Sequence, residues 1–292
     1  MKRMINSALV AEGGGQKGIF TAGVLDAFLE QKFTPFDLKV GVSAGAQNLA
    51  AYCARAHQYA HTAISQLTTE QNFFRPARFF TGGNVIDLDW YFRQIQQEGR
   101  VRFPTTPSNL TPQSNFYAVA SHFDSFAPHY LHTWHDNIFD HLKASSAIPF
   151  LYRPGVEVKG HGLMDGGVAD PIPVRWAHEQ GAKTIWVIRT VEAHDDGKMP
   201  ILERLKPIMS RINQSPRMFA MYHHYQHRYA DAVDFMKAPP EGVNIVQIAP
   251  TRPLHSMTLG SDAKNLQDDY RLGFELGMQA VKKWSVAPAD AS

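Results

Sequence analysis

An α/β protein built on a mainly parallel sheet, followed by a mostly helical C-terminal stretch, is the fold this sequence predicts, and three observations carry that expectation. Short apolar runs alternate with helix-forming stretches over roughly the first two-thirds of the chain, the rhythm of βα units. Two early runs end in glycine-rich turns that open directly into helix formers, Glu12-Gly13-Gly14-Gly15-Gln16-Lys17-Gly18 and Gly41-Val42-Ser43-Ala44-Gly45. From Ile201 onward long helical patterns take over.

With 292 residues, 44% hydrophobic and 19% charged, the chain can bury a large core, and its composition is that of a folded protein throughout. Basic and acidic residues number 29 and 27, a formal charge of +2, and no lysine or arginine block forms a stripe, so nucleic acid is not an implied partner. The single cysteine, Cys53, excludes an intrachain disulfide and fits a reducing compartment, which makes the cytoplasm the expected location. After Met1-Lys2-Arg3 the apolar piece is short and runs at once into Glu12, a pattern of neither a signal peptide nor a membrane span. Any contact with lipid is therefore expected from the aqueous side.

In chain order, Ala8 to Ala11 reads as a strand, the glycine loop follows, and Phe20, Val24 and Phe28 mark one face of a helix over Ile19 to Gln31. Amides of such a loop suit an anion or an oxyanion. Gly13-x-Gly15-x-x-Gly18 also satisfies a dinucleotide-binding fingerprint, with Asp37 lying 19 residues beyond Gly18. Asp37, however, precedes its strand, Leu38 to Val42, whereas a ribose-binding acid belongs at the strand's carboxyl end, where Ser43 stands. Gly41-x-Ser43-x-Gly45 is a nucleophile-elbow pattern: strand, sharp turn, helix. Gly41 and Gly45 give the turn room, and the turn places the serine hydroxyl at the positive end of the next helix.

The elbow helix is expected to run past Ala54 toward Leu67, with Cys53 as ordinary packing. Asn72-Phe73-Phe74-Arg75-Pro76-Ala77-Arg78-Phe79-Phe80 offers two readings, a transient contact with a lipid surface or a loop that buries its phenylalanines, and the second is favoured because no sustained amphipathic helix accompanies it. Asp87 to Gln97 reads as a helix, Asn115 to Ser121 and Tyr130 to Trp134 as strands, and Asn137 to Ala147 as a helix closed by Pro149. Asp165-Gly166-Gly167 is a loop carboxylate in a special backbone shape, and Asp170 follows it closely. Val174 to Gln180 is a helix and Thr184 to Ile188 a strand. Helices over Ile201 to Asn213 and Arg217 to Met236, a strand over Val243 to Ile248 and a helix from Ser261 to Trp284 complete the chain.

A serine nucleophile needs a base, and 14 histidines leave a triad open on composition alone; His255, the last of them, is the candidate by chain order. His223 and His227, four apart on a helix, suggest either a solvated face or two metal ligands, and without a third ligand no metal site is expected.

Four blocks, in order, resemble the signatures of the patatin-like phospholipase family: the Glu12 to Gly18 loop, Gly41-Val42-Ser43-Ala44-Gly45, Ala144-Ser145-Ser146-Ala147-Ile148-Pro149, and Asp165-Gly166-Gly167. The resemblance spans Leu9 to Ile188, and the C-terminal part, with Pro253-Leu254 and Tyr270-Arg271-Leu272-Gly273, is similar to the helical extension of bacterial cytoplasmic members. It implies a three-layer α/β/α sandwich, an acyl hydrolase domain over residues 7–190 and an extension over 200–286 packed on it. It also implies a Ser43–Asp165 dyad without histidine, acting on a lipid or lysolipid ester without a cofactor. Candidate oxyanion donors are the amides of Gly13, Gly14, Gly15 and Ala44, supported by Lys17, Gly41, Gly45, Gly166 and Gly167. Lys17 stands where many relatives carry arginine and Asp170 where asparagine is frequent. The other readings are an NAD(P)-dependent oxidoreductase on the first glycine loop and a lipid- or protein-binding module with little turnover.

Overall fold

In the computed structural model, which describes residues 4–96, 101–104, 110–195 and 216–286, eight strands form one mixed sheet among the described residues. In chain order the elements are β1 (Ser7–Ala11), α1 (Gly18–Glu30), β2 (Leu38–Val42), α2 (Ala44–Cys53), α3 (Tyr59–Leu67), α4 (Leu88–Gln96), β3 (Phe116–His122) and β4 (Pro128–His132). They continue with α5 (Ile138–Ser145), β5 (Val156–Val158), β6 (His161–Asp165), α6 (Val174–Glu179), β7 (Thr184–Ile188), α7 (Pro216–Lys237), β8 (Asn244–Ile248) and α8 (Ala263–Val286). The helix expected over Ile201 to Asn213 lies outside the described residues.

The central strands β3, β2, β1, β7 and β8 are neighbours in that order and all parallel. The inner strand β1 is buried on both faces and reads as an unbroken apolar run: Leu9 and Ala11 enter one core with Phe20, Val24, Leu49 and Phe116, while Ala8 and Val10 enter another with Val174, Tyr229 and Val233. The first core is roofed by α1, α2, α5 and α8 and the second by α6 and α7, which gives the three-layer α/β/α arrangement that the resemblance implies. Phe28 anchors the first core in an aromatic group with Phe33, Phe36, Tyr52 and Trp186 at centroid separations of 5.2, 6.0, 6.5 and 5.8 Å. Each such pair adds about 0.5–1.5 kcal/mol beyond its buried area.

Three features differ from the expectation. The elbow helix stops at Cys53 because Arg55 and Gln58 adopt left-handed φ values of 55° and 60°, and the Gln58 amide donates to Asp26 Oδ1 at 2.9 Å before α3 begins. The strand expected over Val243 to Ile248 is β8, and what the extension's helical reading left out is that it pairs in parallel with β7 and extends the sheet. Residues ahead of Asp165 form an antiparallel hairpin, β5–β6, around Lys159-Gly160, both at positive φ as a tight primed turn requires. Three residues of β5 are too few for a periodicity to register.

The pairing register brings distant residues together. β4 pairs with Tyr117 to Ser121 of β3, so β2 and β6 share the opposite edge, β2 ending with Val42 beside Val119 and β6 with Asp165 beside Ala120. The two strands approach from opposite directions along one lane. Ser43 and Asp165, 122 residues apart in the chain, are thereby placed at adjoining positions of one strand.

Among the described residues no helix is long and apolar enough to cross a membrane. In the aromatic loop, Phe73 is buried and Phe74 and Phe79 half-buried, whereas Phe80 is 85% exposed. The Arg153 guanidinium stacks over Phe79, 5.4 Å from its centroid.

Candidate active site

Ser43 occupies the turn between β2 and α2 with φ 53° and ψ −123°, a conformation that costs a residue with a side chain about 1–3 kcal/mol and is held only by its surroundings. The surroundings do hold it. Its amide donates to Ser145 Oγ at 2.9 Å, and its carbonyl accepts from the Gln47 amide at 3.1 Å. A Cβ on Gly41 would lie 2.7 Å from the Ala46 amide nitrogen, and one on Gly45 would fall onto the Ala11 and Glu12 carbonyl oxygens. Both glycines are therefore spatial necessities of the elbow.

Asp165 is 8% exposed at the end of β6. Its amide donates to the Ala147 carbonyl at 3.0 Å, its own carbonyl accepts from Ser121 Oγ at 2.7 Å, and Ser121 Oγ in turn accepts from the Ala169 amide. The Ala144 to Pro149 block thus braces both residues, Ser145 holding Ser43 and Ala147 holding Asp165. Oδ1 of Asp165 accepts from the Gly167 amide at 2.8 Å, while Oδ2 is buried without a hydrogen-bond partner among the described residues. Burial pushes the carboxyl up to about 6, against the stabilising pull of the Ser43 hydroxyl and the Gly167 amide. A carboxylate of that basicity, with one oxygen uncommitted and a serine hydroxyl close enough to favour its ionised form, is equipped to take a proton.

The glycine loop lies against the same cleft. Gly13, Gly14, Gly15 and Lys17 line it together with Ser43, Asp165 and Gly167. Gly14 and Gly15 have φ of 155° and 59°, and the amides of Gly13, Gly14 and Gly15 donate to no group among the described residues. Ala44 opens α2, so its amide is one of the orphan donors at a helix start. A second, largely apolar cavity begins at the same serine: Gly15, Ser43 and Ile148 border both, and it runs between α2, α3, α4 and α5 past Ala63, Ile64, Phe73, Ile86, Ile95 and Phe103. Near its mouth Tyr91 donates to Gln47 Oε1 at 2.7 Å, and Gln47 Nε2 donates to Ser146 Oγ at 2.9 Å.

The remaining sequence candidates lie elsewhere. Asp170 accepts from the Tyr130 hydroxyl at 2.7 Å, and burial raises its carboxyl to about 6; it borders neither cavity. His255 is exposed and borders neither cavity, and His223 and His227 are exposed on the outer side of α7. Among the described residues no group of three or more His, Cys, Asp or Glu side chains is placed to hold a metal ion. Asp37 sits at the start of β2, at the opposite end of the sheet from the glycine loop, where its Oδ2 accepts from the Asn6 and Ser7 amides. Cys53 is a free thiol that burial pushes up to about 11, so it stays neutral.

Residues that sequence reasoning did not single out also line or brace the cleft: Glu12, Thr190, Tyr225, Tyr229 and Thr258 line it, and Ser121 and Ser145 brace it. Ser145 lies within the Ala144 to Pro149 block, where a hydroxyl in a run of small residues is the available signal. Tyr225 and Tyr229 had a weaker one, two aromatics four apart on the buried face of α7.

A family model described as patatin-like phospholipase matches residues 9–178, and one described as a domain of unknown function (DUF6363) matches residues 215–286. The chain is 42% identical over 266 residues, 91% of its length and 74% of the relative's, to the uncharacterized protein YjjU of Escherichia coli K12. It is 28% identical over 192 residues to the human patatin-like phospholipase domain-containing protein 6, covering 62% of this chain and 13% of that protein. Among solved structures, VipD from Legionella pneumophila aligns over 96% of this chain and 67% of its own, at 13% identity and a TM-score of 0.49. The patatin-like phospholipase model alone covers more than half of the 292 residues, and on that match the chain belongs to the patatin-like phospholipase family, whose chemistry is lipid hydrolysis.

Proposed function

We propose that this protein is a serine acyl-ester hydrolase of the phospholipase or lysophospholipase type, with residues 7–190 as its catalytic unit and Ser43 and Asp165 as a two-residue catalytic centre. One observation carries the reading: Ser43 stands where a cleft holding a raised carboxylate, and three amides that donate to no group among the described residues, meets a channel of apolar side chains. An ester with a long acyl chain fits that junction, its chain in the channel and its carbonyl beside the loop.

In this mechanism Ser43 Oγ attacks the carbonyl carbon while Asp165 Oδ2 takes the hydroxyl proton. Negative charge on the former carbonyl oxygen is met by amides of Gly13, Gly14 or Gly15 and of Ala44, each such donor being worth roughly 3–4 kcal/mol in the transition state. The tetrahedral intermediate collapses, Asp165 returns the proton to the leaving alcohol, and an acyl group remains on Ser43. Water then attacks the acyl-enzyme, giving its proton to Asp165, and the acid leaves with Ser43 Oγ reprotonated. No step needs a metal or a cofactor.

Treatment with a fluorophosphonate followed by peptide mapping tests this without a natural substrate. A single adduct on Ser43 is expected; folded protein that takes no adduct, or takes it on another serine, removes the proposal. The reading also fixes a pH dependence. Asp165 works as the ionised base and its carboxyl lies at about 6 in the folded protein. Thus kcat/KM for a soluble ester should be level above pH 7 and fall roughly tenfold per unit well below pH 6. An acid limb centred near pH 4 would show that burial does not set the base.

A further inference from the structure

Resting on that reading, we propose that residues 215–286, the stretch matching a domain of unknown function, are the positioning device of the glycine loop, with Tyr229 and the 256–261 turn as its two points of hold. The loop's catalytic value depends on three amides that donate to no group among the described residues. Their orientation must be imposed from outside.

On one flank the hold is a buried relay. Tyr229, 2% exposed on α7, donates to Glu12 Oε1 at 2.7 Å and accepts from Arg189 Nη2 at 2.6 Å. Oε2 of Glu12 accepts from the Thr190 amide at 2.7 Å, and Thr190 Oγ1 donates to the Gly13 carbonyl at 2.7 Å. Arg189 is fully buried beside Glu12, with Nε 3.8 Å from Oε2, and its other donors reach the carbonyls of Ala193 and Asp195. Four hydrogen-bonding groups thus connect helix α7 to the first glycine of the loop. On the other flank the Gln16 amide donates to the Thr258 carbonyl at 2.9 Å, and the Ser261 amide donates to Gln16 Oε1 at 2.8 Å. The Thr258 carbonyl occupies the space a Cβ on Gly15 would need. This turn is itself fixed from α8, where fully buried Asp269 accepts from the Ser256 amide at 2.6 Å and from Ser256 Oγ at 2.7 Å.

Two residues beyond the proposed catalytic unit of residues 7–190 therefore act through others: Tyr229 through Glu12 and Thr190, and Asp269 through the turn that grips Gln16. Asp269 borders neither cavity, and Tyr229 borders the cleft but has its hydroxyl committed to Glu12 and Arg189. Tyr225, one turn before Tyr229 on the same face of α7, borders the cleft as well.

The test is hydrogen exchange read by mass spectrometry on the 12–18 segment, together with kcat and KM for a soluble short-chain ester, in Tyr229→Phe, Asp269→Asn and Asp231→Ala. The last is the control: it removes an exposed ion pair between α7 and Arg175, 2.8 Å long, and reaches nothing in the loop. Tyr229→Phe and Asp269→Asn should each speed exchange of the 12–18 amides about tenfold, which is about 1.4 kcal/mol of local opening, and leave β2 and α2 unchanged. They should lower kcat about 10- to 100-fold with KM within twofold. If both variants exchange and turn over like Asp231→Ala at equal folded fraction, the positioning role is overturned. Because two variants approach the loop from opposite flanks, misfolding of one leaves the other to decide. A wild-type protein that neither takes a fluorophosphonate nor cleaves any ester overturns the hydrolase reading instead, and the exchange comparison still decides whether the C-terminal stretch orders the loop.

Discussion

Asp165→Asn is expected to lower kcat on the order of 10³–10⁴-fold while KM and the folded state stay close to wild type. Asparagine has nearly the same shape and its carbonyl oxygen can keep the bond from the Gly167 amide, so the turn that β6 delivers is retained. What is lost is the basic oxygen, Oδ2, the group with no other partner among the described residues. Removing an ionisable carboxyl from a site where burial has already raised it relieves desolvation, so stability should not fall. Steady-state kinetics on a soluble ester reads the effect, with His255→Ala as the comparison. Turnover of Asp165→Asn within tenfold of wild type, with loss instead in His255→Ala, would give the base to the histidine.

Gly273→Val should destabilise the protein by about 3 kcal/mol or more, measured by urea denaturation. Helices α1 and α8 cross at backbone contact. A Cβ on Gly273 would fall onto the Phe20 carbonyl, one on Gly277 would lie 2.9 Å from the Val24 carbonyl, and one on Gly23 in return onto the Tyr270 carbonyl. The obstacles are main-chain atoms of a packed helix, which have no rotamer to move away with, so overpacking costs the upper end of its usual range and more. The polar bond across the same crossing, from the Tyr270 hydroxyl to Asp26 Oδ2 at 2.9 Å, would be broken as the helices part. Gly242→Ala is the contrast. Gly242 has φ 77° in a turn with open space around it, so only its backbone preference is lost, roughly 1 kcal/mol. Equal losses in the two variants would show that the crossing yields easily.

Much of the fold was legible because its strands are long enough to carry an apolar signature and are punctuated by glycine turns. Leu38 to Val42 and Thr184 to Ile188 match their strands residue for residue. Helix limits fall within a residue or two where a proline or a polar cap marks them, as at Asn137 before α5. The break after Cys53 escaped because Arg55 and Gln58 are not residues that announce a left-handed backbone; the tertiary bond to Asp26 sets it. At the site, the blocks containing Ser43, Asp165 and the glycine loop stand out because each needs small residues at fixed offsets. The supporting residues do not. Glu12, Thr190 and Tyr229 come from three separate parts of the chain, and only the sheet register and the seating of α7 make them neighbours.

The end-to-end meeting of β2 and β6 on one edge of β3 separates two tasks that many enzymes must solve with the same residues. The spacing of Ser43 and Asp165, the proposed nucleophile and base, is written into a strand register, at Val119 and Ala120, and not into the length of chain between them. Parts of that intervening chain, in α2, α3 and α4 and from Leu142 to Ile148, wall the apolar channel. Those segments can be lengthened, shortened or repacked while Ser43 and Asp165 keep their spacing, so that under the proposed chemistry selectivity is free to diverge without moving the pair.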